Sequence, residues 1–216
     1  MTSLRTNKPP PSKAVFVNCP FDDGFRPIFR AMTFAIIASS YYPRCALDAI
    51  DGAEIRVSKI AKMIGECDWG IHDLSRVEVD TAGVPRFNMP MELGLHLGAR
   101  LFGSGRHRRK RALILEAQSH RYDAALSDIS GQDIEVHAND PGLAIRRVRN
   151  WLSEHRASNE PPLPGAGAML GDHAKFQADA GTLLAARRLD PLDELTHSDF
   201  LFTVRDWITT RAGALA

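Results

Sequence analysis

The chain has 216 residues, 44% of them hydrophobic and 25% charged, the profile of a globular chain with enough apolar material to bury a core for one full domain plus an extension. Its 27 basic and 26 acidic residues leave a formal net charge of +1, which excludes a strong overall field toward a polyanionic partner, so nucleic acid is not expected and any such contact would rest on a local patch. No apolar run is long enough to cross a bilayer, and the three cysteines, Cys19, Cys45 and Cys67, lack zinc-site or disulfide spacing; reduced thiols, a cytoplasmic location and no metal are expected.

Residues 1–13 are polar, carry Pro9, Pro10 and Pro11, and read as a flexible N-terminal arm without an apolar stretch for a signal peptide. Residues 14–18 (AVFVN) are a buried first strand, ended by the turn Cys19-Pro20-Phe21-Asp22-Asp23-Gly24. Over residues 25–42, Ile28, Phe29, Met32, Ala35 and Ile36 recur at helical steps, and Pro43 is expected to stop that helix before a second strand at residues 45–49. After an Asp51-Gly52 turn, residues 55–66 repeat as a helix through Val57, Ile60, Ala61 and Ile64, and residues 68–74 (DWGIHDL) alternate as a third strand.

A helix over 88–102, strands at 112–116 and 133–137, and a closing helix over 141–156 complete the domain, residues 14–158. The alternation of strands and helices predicts right-handed crossovers and a parallel sheet of about five strands, a three-layer α/β architecture with flavodoxin-like order. Residues 159–168, rich in proline and glycine, read as a linker, and residues 169–216 as a helical extension, a hairpin that packs on the sheet domain or meets a partner, including a second copy of the chain.

Open parallel sheets bind ligands at the carboxyl ends of their strands. Three segments are expected to converge there: the loop from Asn18 to Asp23, the end of the third strand at His72, Asp73, Leu74 and Ser75, and the start of the next helix at Asn88, Met89, Pro90, Met91 and Glu92. On that helix Leu93, Leu97 and Leu101 form a stripe suited to the core, with Glu92 and His96 on the neighbouring one, and Gly94 and Gly98 hint at close approach by a strand or ligand. A glutamate in a first turn also simply suits the helix dipole, whereas a carboxylate at a buried strand end, such as Asp73, needs a partner. His72 and His96, taken alone, read as core-edge or surface histidines.

The basic run 105–111 (GRHRRKR) has no interleaved aromatics and reads as a solvated loop rather than a phosphate contact. Asp22-Asp23-Gly24 lacks the further ligand positions of a calcium loop. No GxGxxG follows the first strand, and GxxxxGK[ST], HExxH and GxSxG are absent, which weakens the dehydrogenase, NTPase, zinc-protease and α/β-hydrolase readings.

The combination of Asn18-Cys19-Pro20-Phe21, Gly70-Ile71-His72-Asp73-Leu74-Ser75 and the helix Asn88-Met89-Pro90-Met91-Glu92-Leu93-Gly94-Leu95-His96-Leu97-Gly98-Ala99 resembles the nucleoside 2-deoxyribosyltransferase-like superfamily, whose distant relatives include TIR-type NAD-cleaving domains. The resemblance covers about residues 14–151, and Arg86-Phe87-Asn88-Met89-Pro90 stands where the transferases carry an Asp-Ser-Gly-Thr type of run. It implies an enzyme acting at the N-glycosidic bond of a nucleoside, nucleotide or NAD, with NAD as a substrate and no separate cofactor. Glu92 would attack or stabilise the anomeric carbon and Asp73 would hold ribose hydroxyls or the base. Asn18, Cys19, Pro20, Phe21, Ser75, Asn88, Met89 and His96 would line the pocket. The alternative it implies is a non-catalytic, nucleotide-binding or self-assembling TIR-like module.

Overall fold

Alternation of side chains along the strands decides which helices each face receives. The computed structural model describes residues 8–48, 52–76, 86–119, 126, 128 and 131–214. Strand β1 (Ala14–Asn18) sends Val15 and Val17 to one side of the sheet and Ala14 and Phe16 to the other, so every residue of the strand is buried. With β2 (Tyr42–Arg44), β3 (Trp69–Asp73), β4 (Arg111–Glu116) and β5 (Ile134–Val136) it forms an all-parallel sheet in the order β2-β1-β3-β4-β5. Helices α1 (Arg26–Ala38) and α4 (Pro141–His155) cover the Val15 face, while α2 (Arg56–Glu66) and α3 (Asn88–Phe102) cover the Phe16 face. This is the expected three-layer α/β fold with its doubly wound strand order.

Helix α1 ends earlier than expected. Ser40 adopts φ +62°, and the amide hydrogens of Ser40 and Tyr41 donate to the carbonyls of Ile37 and Ile36, a Schellman ending that stops the helix before Pro43 is reached. The second strand is accordingly Tyr42–Arg44 and not residues 45–49; Cys45 to Asp48 form a turn, and Ala49 and Asp51 lie outside the described residues. Pro43 sits inside this strand because β2 is at the sheet edge and pairs only with β1, so a missing amide hydrogen costs no ladder bond.

Helices α5 (Ala166–Ala186) and α6 (His197–Ala214) form the C-terminal hairpin and pack outside α1 and α4. Phe176 and Trp207 meet Phe34 of α1 with ring centroids 5.7 and 6.2 Å away, and Phe176, Ala180, Leu184, Phe200 and Val204 join the same core as Val15 and Ile71. The proline-rich stretch before α5 is also held: Arg149 donates to the carbonyls of Leu163 and Pro164, and Glu160 accepts from Lys13 and Arg156. The hairpin's main apolar face is therefore used within the chain.

The basic run departs from a solvated loop. Gly105–Arg109 is a short 3-10 helix, and the Lys110 side chain is fully buried, donating to the carbonyls of Ile64 (2.5 Å) and Cys67. Arg106 donates to Gly65 and to Asp68. Two cations thus cap the carboxyl end of α2, where the helix dipole is negative. Burial lowers the Lys110 ammonium to about 8. No described helix is long and apolar enough to cross a membrane.

Candidate functional site at the carboxyl edge of the sheet

Three segments do converge at the carboxyl edge, and hydrogen bonds fix how. The Asn18 amide nitrogen donates to the Met89 carbonyl (2.8 Å), tying the end of β1 to the first turn of α3. A carbonyl can only accept, so this bond also orients the amide, whose second hydrogen reaches His72 Nδ1 at 3.0 Å. His72 therefore carries its proton on Nε2. His96 Nε2 lies 3.1 Å from the Arg111 carbonyl and donates to it by the same logic. The two imidazoles meet edge to face at 4.9 Å, fully buried, and burial holds both below the ordinary histidine range, His96 at about 3.

Gly70 makes that contact possible. A Cβ at this position would lie 2.6 Å from His96 Cε1 and 2.7 Å from His72 Nε2, so α3 approaches β3 over a residue without a side chain. The close approach expected at Gly94 and Gly98 is found here instead: nothing lies near a Cβ at Gly94, and only Phe102, at 4.0 Å, near one at Gly98. The leucine stripe is corrected too. Leu93 is buried, but Leu101 is 71% exposed, and the buried face of α3 is Met89, Glu92, Leu93 and His96. A polar pair, Glu92 and His96, occupies core positions that the hydrophobic pattern assigns to leucines.

Glu92 is 5% exposed and has no hydrogen-bond or ion-pair partner among the described residues. Desolvation raises its carboxyl from an ordinary value near 4.5 to about 7, against the opposing pull of the Arg56 guanidinium at the start of α2. A carboxyl so placed is without a fixed protein partner among the described residues, unlike Asp73 at the end of β3.

Asp73 has both oxygens engaged. Neighbouring residues on a strand point to opposite faces, so His72 meets Asn18 and α3 while Asp73 turns toward the end of β5. Its Oδ2 accepts from His137 Nε2 at 2.9 Å and its Oδ1 from the Ser75 amide at 2.9 Å; Asp73 and His137 are fully buried. Ser75 Oγ lies 3.0 Å from the same His137 Nε2. The Asn139 amide donates to His137 Nδ1 (3.1 Å), which places the imidazole proton on Nε2 and directs it to Asp73. With no lone pair on Nε2, this histidine cannot take a proton from Ser75, and the trio is a structural knot rather than a nucleophile with its base.

The remaining predicted residues divide. Cys19 and Pro20 are buried, and the thiol of Cys19 is raised well above its usual value by burial and by the negative fields of Asp73 and Glu92. Met89 is buried and contributes its carbonyl to Asn18, whereas Asn88 is exposed. Phe21 packs edge to face on Phe29 of α1, at 5.3 Å, and lines a cavity there with Phe200 of α6. Asp22 accepts from the Phe25 amide at the start of α1 and pairs with Arg86 at 3.2 Å. His137 and Arg56 were not singled out in the sequence; both begin or end an element at this sheet edge, the one signal that points to them. An open hollow of about 670 Å³ lies elsewhere, between β4, β5 and α4, and no residue of α3 lines it.

No family model matches the chain, and no match was found among curated proteins or solved structures.

Proposed function

We propose that the protein cleaves or transfers at the N-glycosidic bond of a nucleoside, nucleotide or NAD, with Glu92 as the residue that meets the anomeric carbon. The single observation carrying this reading is Glu92 itself: a carboxyl at the carboxyl edge of a parallel sheet, 5% exposed and without a partner among the described residues. Loss of a base leaves an oxocarbenium-like sugar. A desolvated carboxylate beneath it stabilises that cation or captures it covalently, and water or a second base then completes hydrolysis or transfer. Burying an unpaired carboxyl has a folding cost, and a cationic transition state is the species that would offset it.

The roles of the neighbours change accordingly. Asp73 has both oxygens engaged and no exposed surface, so it shapes the edge rather than holding ribose hydroxyls. Asn18 has both amide hydrogens engaged and sets the position of α3 relative to β1. Contacts to the sugar fall to Glu92 and to backbone groups of the β1 and β3 loops.

That same engagement favours a second reading, a nucleotide-binding module without turnover, in which few side chains are free for chemistry. One experiment separates the two. Purified protein and its Glu92→Gln variant are incubated with NAD and a panel of nucleosides and nucleotides, and released base is followed by chromatography. Release by the wild type, lost in the folded variant and rising with pH through about 7 as Glu92 ionises, supports the enzyme. Thermal shifts with nucleotide and no released base from any substrate favour the binding module.

A further inference from the structure

The C-terminal hairpin meets the sheet domain at an unusual polar contact, between the turn after β2 and the first residue of α6. Cys45 Sγ lies 3.4 Å from His197 Nε2 and 3.8 Å from Asp48 Oδ1, and His197 Nε2 is 3.4 Å from the same Asp48 oxygen. These three atoms come from a thiol, a carboxylate and an imidazole, each offering one donor, and they are the only such trio among the described residues.

We propose that Cys45, Asp48 and His197 bind a zinc-class divalent metal ion that staples the C-terminal hairpin to the β2 edge of the sheet. The distances fit. Zinc bonds of about 2.3 Å to sulfur, 2.0–2.1 Å to nitrogen and 2.0–2.2 Å to oxygen, at tetrahedral angles, place their ligand atoms about 3.4–3.6 Å apart. The observed separations of 3.4, 3.4 and 3.8 Å need only a few tenths of an ångström of adjustment. The charges fit as well: on binding, the Cys45 thiol gives up its proton to solvent, and a dication is then balanced by one thiolate and one carboxylate, with a neutral imidazole as third ligand.

The surroundings hold the ligands in place. Arg44 Nε donates to Asp48 Oδ2 at 2.5 Å, leaving Oδ1 for the metal, the outer-shell orientation that ligating carboxylates commonly have. The Thr196 hydroxyl accepts from the Asp199 amide and so caps α6 one residue before His197. Arg26 and Arg30 of α1 donate to the carbonyls of Asp193 and Leu195, anchoring the approach to that helix. Three protein ligands leave a fourth tetrahedral position. A cavity of about 80 Å³ adjoins His197, room enough for water there. No short-spacing motif reveals the trio, because His197 is 149 residues beyond Asp48.

The test is titration of the full chain with cobalt(II) after chelator treatment, followed by zinc competition. The expected result is one equivalent bound, with a near-ultraviolet thiolate-to-cobalt absorption that zinc abolishes. Cys45→Ser removes that absorption, whereas Cys19→Ser and Cys67→Ser keep it. His197→Gln and the isosteric Asp48→Asn, both folded by circular dichroism, weaken binding roughly tenfold or more. Zinc raises the melting temperature of the wild type and not of His197→Gln. Absence of cobalt absorption in the wild type, or its persistence in Cys45→Ser or unchanged affinity in both folded variants, overturns the site.

Discussion

Two carboxyls at one sheet edge have opposite fates. Asp73, at the end of β3, is fully buried and receives a hydrogen bond on each oxygen, from His137 and from the Ser75 amide. Glu92, one turn into α3, is almost as buried and has no partner among the described residues. Only Asp73 is a fastener, between β3 and the end of β5, whereas Glu92 is an acid whose burial the fold tolerates. The contrast separates stability from chemistry, and it can be tested in either direction.

The largest effect is expected at the fastener. Asp73→Ala takes the acceptor from the buried Ser75 amide and leaves the His137 Nε2 hydrogen only the Ser75 hydroxyl, and losing two buried hydrogen bonds to a carboxylate costs about 3–5 kcal/mol. Urea unfolding should report that loss, and melting should fall on the order of 10 °C. A near-neutral result would mean that Asp73 is as poorly satisfied as Glu92 and would erase the distinction.

Glu92→Gln should move the other way. The folded chain holds the Glu92 proton up to about pH 7, whereas the unfolded chain releases it near 4.5, so between those values the folded state binds more protons and stability falls as pH rises. The penalty is absent below about 4.5 and complete above about 7. Allowing for the water that reaches the group, the variant should be more stable than the wild type at pH 8 by on the order of 2 kcal/mol, and equal to it at pH 4. Chemical denaturation at the two pH values checks this; equal stability at pH 8 would mean that Glu92 has found a partner in solution.

Much of this edge was legible beforehand. The continuous apolar run of β1 and the extent of α3 matched their observed bounds, although the face that α3 buries did not follow its leucines. What failed was local propensity overruled by tertiary placement. Pro43 reads as a stop, yet an edge strand accepts it. Leu101 reads as core, yet α3 turns Glu92 and His96 inward over Gly70. Lys110 reads as a solvated cation, yet the end of α2 needs its hydrogens. Asp73 was legible as a carboxylate requiring a partner, but the partner's identity was not, since His137 is 64 residues away and belongs to the last strand's exit.

The smallest effect is expected at Ser75, and it tests what holds the fastener together. Asp73 is bound by the Ser75 backbone amide, which Ser75→Ala keeps, while the hydroxyl only shares a histidine hydrogen already directed to Asp73. The Asn139 amide on Nδ1 fixes that tautomer whether or not the hydroxyl is present. Loss of one neutral contact of this kind costs about 0.5–1.5 kcal/mol, several-fold less than loss of the carboxylate. Unfolding measurements on Ser75→Ala and Asp73→Ala side by side should therefore differ clearly. Equal losses would show that the hydroxyl matters to His137 as much as the carboxylate does, and that the backbone amide and the Asn139 contact do not by themselves hold the fastener together.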